Sequence, residues 1–200
     1  MKSLVCFSAM LALVSGNAAA QTLSGDASVK ALRQGGYVIV MRHASSPRDV
    51  PDKQTANSDN TKPERQLDAE GRSTAAAFGK ALRDLKIPIG EVLVSPTYRA
   101  METARLAKLS DPKAQPELGD NGQSMQGGTE AQAAWLRKAV TQFPSGKNTI
   151  LITHLPNIRD AFPQLTPAPA DGETLVFGPN GIVARIKIEE WPSFVTASRP

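Results

Sequence analysis

The two histidines of this chain each follow an apolar run. Tyr-Val-Ile-Val-Met at 37–41 leads into Arg42-His43, and Thr-Ile-Leu-Ile-Thr at 149–153 leads into His154. Such runs predict buried β-strands, and in an open α/β sheet ligands bind at the carboxyl ends of the strands. A guanidinium beside an imidazole at such an end indicates a site for a phosphoryl group.

The chemistry that these groups can perform is phosphoryl transfer. Arg99 follows a third predicted strand, in Ser-Pro-Thr-Tyr-Arg at 95–99, so it joins Arg42 at a strand exit. Guanidinium forks suit the three equatorial oxygens of a transferring phosphoryl group. A neutral imidazole can attack phosphorus and form a phosphohistidine, which divides one difficult hydrolysis into two easier steps. A second imidazole, protonated to imidazolium, can stabilise the charge on the transferring group.

The segments that must position these side chains alternate between β and α patterns. This alternation predicts a three-layer α/β/α sandwich around a mostly parallel sheet. Asp68 is expected to cap the second helix. The expected helices are 28–34, 69–86, 98–109 and 129–143, and the expected strands are 37–41, 91–94, 148–153, 174–177 and 182–188. Residues 44–66 and 111–128 are expected to form long, turn-rich connections, which in a compact domain are usually functional or disordered.

Four motifs along the chain resemble those of a known family. They are Met-Arg-His at 41–43, Leu-Asp-Ala-Glu-Gly-Arg at 67–72, Ser-Pro-Thr-Tyr-Arg-Ala-Met-Glu-Thr-Ala at 95–104 and Thr-His at 153–154. Their order and spacing resemble the histidine phosphatase superfamily, the phosphoglycerate-mutase-like group with an Arg-His-Gly signature. The resemblance covers roughly residues 37–190.

The resemblance implies a role for each matching residue. His43 is expected to be the nucleophile that becomes phosphorylated, Arg42 and Arg99 to clamp the phosphate, and His154 to complete the pocket. The backbone N–H of Leu155 is expected to add a further donor. The implied activity is hydrolysis of small phosphorylated substrates without a metal or organic cofactor. Two histidines without a carboxylate cluster are also a poor ligand set for a metal.

Two positions depart from the family pattern. Ala44 replaces the glycine of the signature, which is tolerable if its φ is negative. The acid that protonates the leaving group is not obvious: Asp120 is the first candidate, Glu117 the second, and some members of this branch lack the acid. Ser46 lies where a further phosphate contact can sit.

Simpler structural roles compete with some of these assignments. Arg99 can pair with Glu102 on its own helix, at a spacing of three residues. Asp68 and Arg72 are better explained as a helix cap and helix surface, and Asp120 beside Asn-Gly fits a turn as well as an acid. Two alternative functions also remain open. One is a phosphoglycerate-mutase-like phosphotransferase, and the other is a catalytically weak phosphate-binding module that lacks the acid.

The first twenty residues have the pattern of a cleavable signal peptide. A basic start at Lys2, an apolar stretch over 4–14 and small residues at 18–20 predict cleavage after Ala20, leaving 21–200 as one phosphatase domain. The apolar stretch is shorter than the roughly 20 residues of a membrane span. Cleavage would remove Cys6, the only cysteine, so thiol chemistry is not expected. We therefore expect a periplasmic or secreted protein.

Composition excludes other classes of protein. The chain has 200 residues, enough for one domain with a full core, and a formal net charge of +4. Its basic residues are scattered and its aromatic residues are few, which does not fit a nucleic-acid-binding surface. Such a mildly basic chain suits a small anionic substrate. By analogy with exported relatives, this would be a sugar phosphate or a lipopolysaccharide-core phosphate.

Overall fold

The structure is a computed structural model that describes residues 23–47, 65–119 and 129–197. In chain order its elements are α1 (Gly25–Gln34), β1 (Val38–Arg42), α2 (Ala69–Asp84), β2 (Ile89–Val94), α3 (Tyr98–Leu106), β3 (Lys113–Ala114), a 3-10 turn (Pro116–Leu118), α4 (Thr129–Ala139), β4 (Asn148–Thr153), α5 (Leu155–Ala161), β5 (Thr174–Gly178), β6 (Gly181–Ile186), a second 3-10 turn (Ile188–Glu190) and α6 (Trp191–Ala197).

One mixed sheet organises these elements. Its strand order is β3-β2-β4-β1-β5-β6. The four strands β3, β2, β4 and β1 run parallel to one another, whereas β5 and β6 are antiparallel to their neighbours. The central strands β1 and β4 are buried along their whole length, as continuous apolar runs in a covered parallel sheet should be. The predicted mostly parallel sheet is confirmed.

Helices cover both faces of the sheet, with a separate hydrophobic core on each side. Alternate residues of β1 point to opposite faces. Ile39 and Met41 join the core that includes residues of α2, α3 and α6, whereas Val38 and Val40 join the core that includes residues of α4 and α5. The predicted three-layer α/β/α sandwich is confirmed.

The register of the parallel strands brings the predicted site together. Arg42 of β1 lies opposite Thr153 of β4. The N–H of His43 donates to the carbonyl of Thr153 at 3.0 Å, so the two histidines leave neighbouring strands side by side. The N–H of Ser95 donates to the carbonyl of Ile152 at 2.9 Å, which holds the exit of β2 along the same edge.

The N-terminus of α2 is fixed against the segment that follows His43. Asp68 caps the helix as predicted, with its carboxylate accepting from the N–H of Gly71 at 2.6 Å and from the Ser45 hydroxyl at 2.7 Å. These two bonds, the one from Gly71 first, lower the pKa of Asp68. A Cβ on Gly71 would lie 2.1 Å from the Ser45 carbonyl oxygen, so this close approach needs glycine.

Several short elements differ from the sequence prediction. The turn-rich segment 111–128 contains β3 and a 3-10 turn, and two seven-residue helices, α5 and α6, were not predicted. Helices of two turns are too short to display a clear 3.6-residue period, and a two-residue strand has no alternation to detect. Helix ends also moved: α1 begins earlier than predicted, whereas α2, α3 and α4 end earlier.

The predicted signal peptide at 1–20 and most of the predicted loop at 44–66 lie outside the described residues. Within the ranges that the structure describes, no helix has both the length and the apolarity needed to cross a membrane.

Candidate active site

Four predicted site residues lie together at the carboxyl edge of the sheet. The imidazole rings of His43 and His154 meet edge to face, with ring centroids 5.1 Å apart. Both histidines are buried, Arg42 is 7% exposed and Arg99 is fully buried. The fold therefore concentrates two imidazoles and two guanidinium groups in a small volume with little access to water.

A backbone hydrogen bond fixes the tautomer of His43. Its Nδ1 atom lies 2.8 Å from the carbonyl oxygen of Ala44. A carbonyl oxygen can only accept, so Nδ1 carries the hydrogen and Nε2 of the neutral ring keeps its lone pair. Burial and then the charge of Arg99 hold the pKa of His43 well below its usual value. At neutral pH the ring is therefore neutral, with a free lone pair on Nε2.

Alanine is compatible with the position after His43. Ala44 is fully buried, and its N–H donates to the Thr103 hydroxyl at 3.2 Å. The described non-glycine residues with positive φ are Lys86, Lys108 and Asp111, so Ala44 is outside the left-handed region. The departure from the Arg-His-Gly signature costs no backbone strain here.

The loop before β5 holds Arg42. The Nη1 atom of Arg42 donates to the carbonyl of Pro169 at 2.8 Å, and Nη2 forms an ion pair with Asp171. The backbone of the loop is joined to the same strand end, because the N–H of Gly172 donates to the carbonyl of His43 at 3.0 Å. Asp171 therefore orients the guanidinium. Nothing in the sequence had singled it out, because its partner is more than a hundred residues away.

Arg99 contacts the second histidine and not the carboxylate on its own helix. Its Nη2 atom lies 3.3 Å from Nδ1 of His154. Glu102 instead binds Arg105, with two N–O distances of 2.6 Å. The alternative pairing of Arg99 with Glu102 is therefore wrong, because Arg99 leaves the start of α3 toward the interior while Glu102 meets the exposed Arg105.

His154 is bound on its other side by two hydroxyl groups. Its Nε2 atom lies 2.8 Å from the Ser95 oxygen and 3.3 Å from the Thr97 oxygen. Burial, followed by the neighbouring His43 and Arg99, holds the pKa of His154 well below its usual value. The ring is thus neutral before an anion binds, whereas the sequence had suggested an imidazolium. The difference arises because burial, and then the neighbouring charges, disfavour a positive charge on this ring.

Comparison with known proteins finds one matching family model. A model of the histidine phosphatase superfamily (branch 1) matches residues 38–134, from β1 into α4. Over these residues the chain is similar to the histidine phosphatase superfamily. No curated protein sequence matches it.

Solved structures share the fold of this chain at low sequence identity. A putative phosphohistidine phosphatase SixA from Agrobacterium tumefaciens is 14% identical, with 76% of this chain and 97% of that chain covered and a TM-score of 0.53. TTHB049 from Thermus thermophilus is 18% identical, with 76% and 99% covered and a TM-score of 0.54. The open reading frame Rv3214 from Mycobacterium tuberculosis is 16% identical, with 74% and 94% covered and a TM-score of 0.52. At these low sequence identities, the structural similarity establishes only that the proteins share a fold.

The segment that leads to the candidate acid is attached beside the second histidine. Asp120 itself lies outside the described residues. The Thr153 hydroxyl donates to the carbonyl of Leu118 at 2.8 Å, and the Asn157 amide donates to the carbonyl of Gly119 at 2.8 Å. The second candidate, Glu117, is half-buried in the 3-10 turn, where its carboxylate accepts from Gln115. Asn157 was not identified from the sequence, because the short helix α5 that carries it was not predicted.

The remaining predicted contacts lie at the same edge. Ser46 is buried three residues after His43. Leu155 is the first residue of α5, so its N–H has no acceptor within the helix. Arg65, just before α2, is close enough for its charge to lower the pKa of both histidines.

Proposed function

We propose that this chain is an exported phosphomonoester hydrolase that acts through a covalent phosphohistidine at His43. The observation that carries the proposal is the hydrogen bond from Nδ1 of His43 to the carbonyl of Ala44, which leaves the lone pair on Nε2. A buried, neutral imidazole beside two arginines is suited to attack an anionic phosphorus centre. The match of residues 38–134 to the histidine phosphatase superfamily supports phosphatase or phosphotransferase chemistry.

The proposed reaction has two displacements. Nε2 of His43 attacks phosphorus, the bond from phosphorus to the ester oxygen breaks, and the alcohol leaves with a proton from the leaving-group acid, for which Asp120 is the first candidate, or from water. Water then attacks phosphorus and gives a proton back to that donor, the P–N bond breaks, and phosphate is released with the histidine restored. Arg42 and Arg99 stabilise the equatorial oxygens during both steps. Amino-acid groups supply all of this chemistry.

We favour a hydrolase over a mutase for two reasons. A mutase must protect its phosphoenzyme from water, and apart from the connections at 44–66 and 111–128 the chain has few insertions to serve as a lid. The signal-peptide pattern at 1–20 supports export, which separates the enzyme from glycolytic intermediates and from cytoplasmic phosphohistidine proteins. A periplasmic sugar phosphate or lipopolysaccharide-core phosphate fits that location.

Hydrolysis of an aryl phosphate tests the proposal. Its leaving group departs without an acid, so the wild type should be active and His43→Ala should lose activity, while Lys80→Ala on an exposed surface should match the wild type. An inactive wild type that still binds inorganic phosphate would instead support the phosphate-binding module. Alkyl phosphates then test the acid, because general-acid help is worth about 10²–10⁴ in rate. If alkyl phosphates resist, Asp120 is not a working acid.

A further inference from the structure

The two histidines of the site are held in opposite tautomers. His43 donates from Nδ1 to the Ala44 carbonyl, so its Nε2 carries the lone pair. His154 has Arg99 beside Nδ1 and Ser95 beside Nε2. A guanidinium can only donate, so Nδ1 of His154 must accept, and the hydrogen of the neutral ring lies on Nε2.

A closed set of hydrogen bonds makes Ser95 the acceptor for that hydrogen. The Thr97 N–H donates to the Ser95 oxygen at 3.3 Å, and the Ser95 hydroxyl donates to the Thr97 oxygen at 3.2 Å. Nε2–H of His154, at 2.8 Å, then fills the remaining acceptor position of Ser95. Ser95, Thr97 and His154 are all buried, where an unsatisfied donor is costly.

We propose that Ser95 is a positioning residue of the proposed phosphatase reaction. Its hydroxyl retains the Nε2 hydrogen of His154, so that Nδ1, the atom beside Arg99, is the only position at which this ring takes up and returns a proton. The role of Ser95 in turnover rests on the proposed function, whereas the tautomer of His154 rests on the hydrogen-bond geometry alone.

The proton comes from the ligand and returns to it. A phosphate group that arrives as the monoanion transfers the hydrogen of its P–OH group to Nδ1 of His154. The Arg99 N–H leaves Nδ1 and donates to the phosphate instead, so the products of this transfer are a phosphate dianion and an imidazolium that donates from both ring nitrogens, to the phosphate and to Ser95. The proton is returned when phosphate leaves as the monoanion, so the cycle needs no other co-reactant.

The surroundings of His154 make this uptake depend on the anion. Within the described part of the chain, the charged and titratable groups that act on the ring are His43 and Arg42 from the end of β1, Arg99 from α3, and Arg65 before α2. The arginine charges oppose protonation of the empty pocket, and a bound phosphate dianion offsets them. Because the imidazolium donates more strongly than the neutral ring, loss of the Ser95 acceptor should lower the pKa of His154 in the phosphate complex.

Nitrogen NMR of the full chain tests the inference directly, because only two histidines contribute ring signals. In the free wild-type protein at neutral pH, one ring should carry its hydrogen on Nδ1 and the other on Nε2. Saturating inorganic phosphate should protonate Nδ1 of His154. Two Nδ1–H rings in the free protein, or phosphate binding without protonation of Nδ1, would overturn the proposal.

Ser95→Ala and Thr97→Val form a matched pair, because each removes one buried hydroxyl beside the same nitrogen. Ser95→Ala should disturb the tautomer of His154 and leave that of His43 unchanged. In this variant, phosphate affinity should begin to fall at a lower pH, as the pH is raised, than in the wild type. Thr97→Val, which removes the more distant contact, should shift the pH at which phosphate affinity falls by less. Equal shifts in the two variants, or no shift in a folded Ser95→Ala protein, would show that Ser95 has only a packing role and would overturn the proposal. These readouts need no turnover, so a failed phosphatase assay with the predicted NMR result would count against the proposed function and not against the role of Ser95.

Discussion

The two buried histidines should make the folding stability of this protein depend on pH. The pKa of each ring is held well below its ordinary value of 6.5, mainly by burial. In the unfolded chain both rings protonate near that ordinary value. Below pH 6.5 the unfolded state therefore binds more protons than the folded state, and stability falls as the pH falls toward the folded-state pKa values.

The size of this loss follows from the linkage relation. One pH unit below the unfolded pKa, at pH 5.5, each histidine that stays neutral in the folded state costs about 1.4 kcal/mol, and the pair about 3 kcal/mol. Above pH 6.5 the contribution is fully present. We expect the free energy of unfolding, measured by urea titration, to be lower at pH 5.5 than at pH 7.5 by about this amount.

Histidine variants show whether the loss of folding stability at low pH comes from these two rings. His43→Asn and His154→Asn should each remove about half of the difference between pH 7.5 and pH 5.5, whatever their absolute stability. Lys80→Ala, in an exposed ion pair, should leave the difference unchanged. The reasoning is refuted if the double histidine variant loses as much stability between these pH values as the wild type does.

Three further changes test the positioning of the site. Gly71→Ala should lower the free energy of unfolding by about 1–3 kcal/mol, because the added methyl meets the Ser45 backbone; an unchanged urea midpoint would contradict that contact. Asp68→Ala should cost about 1 kcal/mol in the same measurement through loss of the helix cap, whereas Glu70→Ala on the exposed side of α2 should cost less than about 0.5 kcal/mol. Arg99→Lys should lower kcat/KM for an aryl phosphate by about 100-fold, because an ammonium group cannot donate the paired hydrogen bonds of a guanidinium. Near-normal activity would place Arg99 outside the phosphate site.

The main strands and the core of the site could be predicted from the sequence because their signals are local. The apolar runs before His43 and His154 show where buried strands end, and parallel pairing of those strands then brings the two rings together. Asp68 was recognisable as a cap because the cap residue and its helix are adjacent in sequence. The arginines were found because they neighbour strand exits.

The interactions that hold the site could not be predicted because they are distant in sequence. Asp171 reaches Arg42 from the loop before the neighbouring strand β5, and Asn157 reaches Gly119 from a helix too short to show periodicity. Ser95 was part of a recognised motif, yet its hydrogen bond to His154 depends on the close approach of β2 and β4. The neutral state of His154 follows from burial and neighbouring charge, which sequence spacing does not measure.

The central claim is that His43 becomes phosphorylated during turnover. Rapid acid-free quenching of the full chain with an aryl phosphate, followed by mass spectrometry of its peptides, measures this directly. The account predicts one phosphoryl group on His43, stable to base, labile to acid and absent from His43→Ala. A phosphoryl group on a serine or aspartate, or turnover by His43→Ala at the wild-type rate, would contradict it.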